Sequence, residues 1–291
     1  EAIAWGAVAA MAGWMIAGRT AEPPPDPEPQ TMRLDVDMSE AGTIPAGGTF
    51  PRISPDGRTF VVRLARGGVR RLVSRRSDDP AALREIPGTE SAIGGGWWSP
   101  DSTSLVFRAG PGFRLVEVDT GAAPIVVPTT GMSVGAGISV SWGTSGSLLV
   151  VDTRRRLFLV PARGGQPQAM SLSLPARQRP AWAEFLPDGR RFLLTTVSDE
   201  RPALYIGELG VDTVRLVADG VEGRVLFVAP NYVMWRRQGI LVAQRMDLDR
   251  ATMVGEPVPL APVPANQFSA SKNLLAYASS TAQSSRLVWY D

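Results

Sequence analysis

The chain contains no cysteine and no histidine, and it contains a single lysine, Lys272. Without cysteine there can be no disulfide bond, no zinc thiolate site and no cysteine nucleophile. Without histidine there can be no Ser-His-Asp relay and no imidazole-bound metal ion. Because these absences remove the commonest hydrolase and metal sites, we predict a chain that is not itself an enzyme. We also expect it to hold no metal and no cofactor.

Basic charge is not concentrated in any one stretch. The formal net charge is +2. A nucleic-acid surface normally gathers Lys and Arg on one face or along one helix. The arginines here instead form short, separated clusters, at residues 70–71, 75–76, 154–156, 190–191 and 236–237. We therefore expect no nucleic-acid partner, and we interpret the clusters as solvated strand edges, where charge discourages aggregation.

One long uncharged run is present, at residues 2–18. As a helix it would span about 26 Å, which is at the short end of what crosses a bilayer. Trp5 and Trp14 would lie toward the two interfaces, and Arg19 ends the run. The alternatives are a signal-peptide core, for which residues 18–21 make a poor cleavage site, and a buried core helix. We predict a transmembrane helix at residues 1–19, with membrane contact through residues 2–18.

Proline is concentrated directly after this run, in Glu-Pro-Pro-Pro-Asp-Pro-Glu-Pro-Gln at residues 22–30. Such a tract favours the extended polyproline II conformation and cannot form a core. We predict a proline-rich linker at residues 20–30 that holds a globular part away from a surface.

A hairpin motif then recurs along the chain. In Ser54-Pro55-Asp56-Gly57 the proline presets the first turn position, and the aspartate bonds its own backbone. The residues in the glycine position of the six copies are Gly57, Ser102, Gly146, Gly189, Asn231 and Asn273, separated by 45, 44, 43, 42 and 42 residues. We assign structural turn roles to Asp56, Gly57, Asp101, Asp188 and Gly189.

Steps of about 40–45 residues with several short strands in each are typical of propeller blades. The last repeat stops without a fourth strand, while residues 32–38 alternate apolar and charged residues with no partner assigned. The sequence therefore predicts an all-β, six-bladed propeller of four-stranded blades at residues 31–291, preceded by one transmembrane helix. Its ring would be closed by residues 32–38 pairing beside residues 287–290.

The repeats resemble the WD40-like (PD40-type) propeller region at the C-terminus of bacterial receptor-type serine/threonine protein kinases. They are also similar to the periplasmic propeller of the Tol system. The resemblance rests on the order of the apolar run, the proline-rich stretch and the motifs Arg33-Leu-Asp-Val-Asp37, Ile53-Ser-Pro-Asp-Gly57, Trp98-Ser-Pro-Asp101, Trp142-Gly143, Phe185-Leu-Pro-Asp-Gly189 and Leu287-Val-Trp-Tyr290. The fifth and sixth repeats depart from it, with Pro230-Asn231 and Lys272-Asn273 where Asp-Gly is usual.

The resemblance implies a membrane-anchored sensor or protein-binding scaffold, with the propeller on the extracytoplasmic or periplasmic side of the cell membrane. The partner would be an unknown protein, peptide or small molecule. The kinase itself is not in this chain, which has no Asp-Phe-Gly and no histidine for a His-Arg-Asp loop. The alternative is a stand-alone periplasmic binding propeller of the Tol type.

Binding residues of propellers tend to lie on loops or at the channel mouth, because neighbouring blades cover the blade faces. The candidate ligand-facing residues on the inner strands are Gly95, Trp97, Ser139, Ser141 and Glu184. The alternative is that these residues only pack the inner strands. A carboxylate-dependent glycosidase also stays open, since its two acids can come from different blades. Glu184, Asp152 and Glu222 are its candidates.

Overall fold

The fold is described from a computed structural model, which covers residues 32–36, 51–79, 83–263, 267–278 and 285–289. The predicted transmembrane helix at residues 1–19 and the linker at residues 20–30 lie outside these residues. Every regular element of the described part is a β-strand. Within that part, none of the chain forms a helix with the length and apolar character needed to cross a bilayer.

The strands follow one another along the chain and are joined by turns and loops. The first is β1 (Met32–Val36). Blade 1 contains β2 (Arg52–Ile53), β3 (Thr59–Arg66), β4 (Val69–Arg76) and β5 (Leu83–Glu85). Blade 2 contains β6 (Ala92–Trp98), β7 (Ser104–Ala109), β8 (Gly112–Glu117) and β9 (Ile125–Val127). Blade 3 contains β10 (Ser139–Trp142), β11 (Ser147–Val151), β12 (Leu157–Pro161) and β13 (Gln168–Met170).

The remaining strands continue the pattern. Blade 4 contains β14 (Arg179–Phe185), β15 (Arg191–Val197), β16 (Ala203–Glu208) and β17 (Arg215–Asp219). Blade 5 contains β18 (Val225–Val228), β19 (Tyr232–Arg237), β20 (Ile240–Asp247) and β21 (Thr252–Pro262). The last strands are β22 (Phe268–Ser271), β23 (Leu274–Ala278) and β24 (Ser285–Trp289). With β1 they form a further four-stranded sheet, in the order β1-β24-β23-β22, which we call the closing sheet.

The predicted fold class, a six-bladed propeller preceded by one transmembrane helix, is corrected by these elements. The described residues form an all-β propeller with five blades of four consecutive strands each, joined by the closing sheet, and they contain no helix. The physical reason is that strands take up most of the described residues, and the longest described connection between them, residues 128–138, is too short to cross a bilayer as a helix. The apolar run that suggested one lies at residues 2–18, outside the described part.

The closing sheet takes its strands from both ends of the described chain. β1 runs antiparallel to β24, with Met32 opposite Trp289 and Val36 opposite Ser285. The predicted pairing of the first strand beside the last is therefore confirmed for these residues. This pairing covers an edge of β24 that would otherwise present unpaired backbone groups, which are a template for aggregation.

The core is divided into apolar clusters between successive sheets. Blades 2 and 3, for example, bury Phe113 against Val140 and Phe158, and blades 3 and 4 bury Leu149 against Phe192. The clusters continue from blade 5 to the closing sheet and from the closing sheet back to blade 1. Because every sheet packs on two neighbours, the first strands of all sheets (β2, β6, β10, β14, β18 and β22) meet around the central axis.

The turns after these inner strands differ in length. Four connections of four or five residues each contain a residue with positive φ, at Gly57, Ser102, Gly146 or Gly189. The fifth and sixth connections have only three and two residues, and Asn231 and Asn273 do not have positive φ. The two shorter turns therefore close without a left-handed residue at the glycine position of the motif.

Replacement of Gly189 tests the turn geometry. Gly189→Ala and Gly146→Ala both place a Cβ at left-handed φ, which costs about 1–2 kcal/mol. At Gly189 the new Cβ would also clash with Thr144 Oγ1 in the neighbouring turn, whereas at Gly146 it would meet open space. We expect Gly189→Ala to lower the free energy of unfolding in urea more than Gly146→Ala does. In a Thr144→Ala background the two losses should become equal, and a difference that persists there would contradict this account.

Candidate functional site

A cavity of about 360 Å³ lies where the inner strands end and their turns begin, and we call it the mouth cavity. Every sheet contributes to its lining. The contributing side chains include Arg52 from blade 1, Trp97 from blade 2, Ser141 from blade 3, Glu184 from blade 4, Phe227 from blade 5 and Ser269 from the closing sheet. The cavity is thus formed by the assembled ring and by no single repeat.

The recurring turn motif forms the rim of this cavity. Pro55, Pro100, Thr144 and Pro187 occupy the same place in successive turns, and all of them line the cavity. Lys272 lies at the rim in the turn of the closing sheet. The repeated prolines give the rim an apolar, conformationally restricted surface.

The aspartates of these turns bond within their own turns. The Oδ1 atom of Asp56 accepts a hydrogen bond from Arg58 N at 3.0 Å, and that of Asp101 accepts one from Thr103 N at 3.1 Å. Asp188 Oδ1 accepts from the backbone of Arg190 at 2.9 Å. Burial acts to raise the pKa of these carboxyls, but hydrogen bonds from the side chains of Ser54, Ser99 and Arg191, together with the backbone hydrogen bonds, lower it. The turn geometry therefore accounts for these three side chains.

Three charged side chains from three different blades meet in the mouth cavity: Arg52, Glu184 and Arg224. Arg224 immediately precedes β18 and is only 8% exposed, and Arg52 and Glu184 are partly buried. The Arg224 guanidinium donates to the carbonyl oxygen of Phe268 in the closing sheet, and its Cζ lies 5.2 Å from the centre of the Phe268 ring. This side chain is therefore fixed between blade 5 and the closing sheet.

The ionisation of these groups is coupled. Burial raises the pKa of the Glu184 carboxyl to about 7, although Arg224, a hydrogen bond with Ser141 and Arg52 all act to lower it. Burial also lowers the pKa of both guanidinium groups, and the positive charge of Arg224 lowers that of Arg52 further. Desolvation disfavours the charged form of all three groups.

The Trp97 ring forms an aromatic wall of the cavity. The Trp97 ring meets Phe113 edge to face, with centroids 6.0 Å apart and an angle of 89° between the rings. The Arg52 Cζ atom lies 5.8 Å from the centre of the Trp97 ring. Next to it, Trp98 Nε1 donates to the carbonyl oxygen of Arg52 at 3.0 Å. Blade 2 thus holds Arg52 of blade 1 by both a ring contact and a hydrogen bond.

The predicted ligand-facing residues divide into two groups. Trp97, Ser141 and Glu184 line the mouth cavity. Ser139 is buried, and its hydroxyl accepts a hydrogen bond from Ala183 N at 3.1 Å, so it joins β10 to β14. Gly95 is buried within β6, beside a shift in the register between β6 and β7.

Ser141 has both kinds of contact. Its hydroxyl accepts a hydrogen bond from Phe185 N at 2.9 Å, which ties blade 3 to blade 4, and it also faces Glu184. The packing alternative therefore describes Ser139 well, and it describes Ser141 in part.

The other two candidate acids of a glycosidase lie elsewhere. The Asp152 side chain is fully buried and accepts hydrogen bonds from Arg156 and from Ser133 N, which lower its pKa against the effect of burial. Glu222 is exposed. Among the described residues that line the mouth cavity, Glu184 has no second carboxylate beside it. In the same part of the chain, no group of three acidic residues is placed to hold a metal ion.

Sequence reasoning missed Arg52, Arg224 and Lys272 as site residues. A signal for Arg52 was present, because it stands five residues before Gly57. Trp97, Ser141 and Glu184 stand at the same distance before Ser102, Gly146 and Gly189. These four side chains therefore occupy one repeat position, and all four line the cavity. Arg224 does not occupy this repeat position, because it lies just before β18.

Searches against protein-family models and curated proteins found no match. Solved structures do resemble the chain. TolB from Acinetobacter baumannii matches with a TM-score of 0.54 and 15% identity, over 83% of this chain and 63% of that one. The β-propeller domain of Cps50 (Swd1) from Myceliophteria thermophila matches with 0.55 and 13%, over 84% of both chains. An oligogalacturonate lyase from Vibrio parahaemolyticus matches with 0.55 and 8%, over 90% and 96%.

These similarities show the fold. The structural neighbours are TolB-like and WD40 β-propellers, so the propeller part of the predicted family resemblance is confirmed. The same fold is shared with a lyase, so the fold alone does not separate binding proteins from enzymes. The chain spans 63% of the length of the Acinetobacter TolB structure.

Replacement of Glu184 tests the electrostatics of the mouth cavity. Between its ordinary pKa of 4.5 and about 7, the folded carboxyl keeps a proton that the unfolded chain has lost. The free energy of unfolding therefore falls as pH rises through this window and levels off above it. Glu184→Gln removes this decline. The free energy of unfolding of the variant, minus that of the wild-type chain, should therefore increase between pH 4.5 and about 7, by at most about 3 kcal/mol.

Urea unfolding at several pH values between 4.5 and 8 measures this difference. Glu222→Gln, at an exposed position, controls for the loss of one carboxylate. A Glu184→Gln difference that does not change with pH would show that Glu184 is not held in a desolvating environment.

Proposed function

We propose that the chain is a protein-binding propeller that takes a peptide segment of its partner into the mouth cavity. The observation that carries the proposal is the composition of this cavity, where an aromatic wall, a proline-rich rim and charged groups that are buried or partly buried come together from different sheets. Concave sites with apolar walls and a few convergent polar groups are the usual form of ligand sites. The similarity to TolB-like and WD40 propellers agrees with this function.

Catalysis is the second candidate, and the site geometry favours it less. The carboxyl of Glu184, with a pKa of about 7, could serve as a general acid or base. A glycosidase needs a second carboxylate about 5–10 Å away, however, and the groups that act on Glu184 are two arginines and a serine. The cavity therefore supplies charge and shape for binding without an acid pair.

Attachment to a serine/threonine kinase domain and an extracytoplasmic location concern parts of the protein that lie outside the described residues, and both stay predictions. They are what the family resemblance implies for the role of this propeller, as a sensor or a docking scaffold. Reading the coding sequence upstream of Glu1 tests the kinase link, because a frame that encodes no kinase domain would leave the stand-alone binding propeller.

Selection of peptides from a random display library against the whole chain tests the binding proposal. Selected peptides are then synthesised and titrated by calorimetry. They should bind the wild-type chain, and their affinity for the Trp97→Ala variant should be lower by about tenfold or more, because aromatic anchors dominate such interfaces. Val126→Ala, at a 69% exposed position on the outer strand of blade 2, should bind as the wild type does.

Two results would contradict the proposal. Peptides that bind both variants equally would place the binding surface outside the mouth cavity. A library that yields no binding peptide would remove peptide binding as the function.

A further inference from the structure

The mouth cavity carries an excess of positive charge. Among the described residues that line it, Arg52, Arg224 and Lys272 are cationic and Glu184 alone is acidic. The cavity therefore stays positive even when Glu184 is ionised, and protonation of Glu184 makes it more so. A ligand that enters it meets a field that favours anions.

Each of the two guanidinium groups contacts an aromatic ring of a neighbouring sheet. Arg224 is anchored on the carbonyl oxygen and the ring of Phe268. Arg52 lies against the Trp97 ring, and its own carbonyl oxygen accepts from Trp98. The guanidinium fork is rigid and matches a planar carboxylate with two parallel hydrogen bonds. Little further ordering would be needed to receive such a group.

We infer that the mouth cavity binds the carboxylate of a peptide, with Arg52 and Arg224 as the groups that recognise it. This inference rests on the proposed function, which supplies a peptide as the ligand. The carboxylates of a peptide are its C-terminus and its Asp and Glu side chains. The adjoining aromatic wall, formed by Trp97, would contact the neighbouring apolar part of the peptide.

Glu184 is the internal competitor for the same guanidinium groups. The positive charges of both arginines act on its carboxyl, and burial keeps its pKa near 7. The charged groups facing it are Arg52 on β2 and Arg224 before β18, with the Ser141 hydroxyl on β10 as its neutral partner. Protonation of Glu184 frees positive charge for an incoming anion, so binding should strengthen as pH falls through about 7.

A matched pair of small probes tests the inference without any peptide. Phenylacetate and phenylacetamide have nearly the same shape, and only the first carries a charge. Ligand-observed NMR titrations at constant ionic strength should show phenylacetate binding at least about tenfold more tightly, because hydrogen bonds to charged groups are the stronger ones. Equal affinities for the two probes would overturn the inference.

Arg224→Gln should weaken phenylacetate binding about tenfold, and Arg224→Lys should restore part of the loss. Arg63→Gln is the matched control. Arg63 is 5% exposed and, like Arg224, donates to a carbonyl oxygen of an inner strand, that of Ala92 at 3.2 Å, but it does not line the cavity. It should leave phenylacetate binding unchanged. A loss that is equal in Arg224→Gln and Arg63→Gln would mean that a buried arginine acts only through stability, and would overturn the inference.

Glu184→Gln should tighten phenylacetate binding at pH 8 and remove its dependence on pH. If Glu184→Gln binds phenylacetate at pH 8 only as tightly as the wild-type chain does, Glu184 does not compete for the arginines. Inorganic phosphate that binds more tightly than phenylacetate would also count against a carboxylate site.

The source of the carboxylate is separated by two further titrations. For the peptides selected by display, amidation of the C-terminus removes one source, and Glu→Gln or Asp→Asn exchange removes the other. Loss of affinity on either change supports the inference. Peptides that bind the mouth cavity equally well without any carboxylate would overturn it and leave the proposed function intact.

Discussion

Packing between successive sheets is the interaction on which the rest of the structure depends. No four-stranded sheet here could bury its own apolar face alone, and each core cluster draws its residues from two sheets. A ring of such sheets is stable only when it closes. The pairing of β1 with β24 completes the sheet that lies between blade 5 and blade 1. Closure in turn brings the inner strands together and so creates the mouth cavity.

The repeat then places chemically different side chains at equivalent points. In blades 1 to 4, the side chain five residues before the left-handed turn residue lines the cavity. These positions hold a guanidinium, an indole, a hydroxyl and a carboxyl. A symmetric scaffold thereby gives an asymmetric site, in which the Arg52 guanidinium lies beside the Trp97 indole. Different side chains around the cavity allow it to distinguish one ligand from another.

Local signals in the sequence predicted the features that depend on neighbouring residues. Pro55, Asp56 and Gly57 specify a tight turn, and the alternation at residues 32–38 indicated the strand that pairs with β24. The charged cluster could not be predicted in this way, since Arg52, Glu184 and Arg224 are more than a hundred residues apart at their extremes and meet only in the closed ring. The apolar run at residues 2–18 predicts a membrane helix from composition alone, and it lies outside the described residues.

The central claim is that a peptide carboxylate enters the mouth cavity between two arginines. The most direct measurement is a crystal structure of the chain bound to a selected peptide with a free carboxylate. The account predicts that carboxylate within hydrogen-bonding distance of the Arg52 and Arg224 guanidinium groups, with an apolar side chain of the peptide against Trp97. A peptide seated along the outer strand of a blade, with the mouth cavity unchanged, would contradict it.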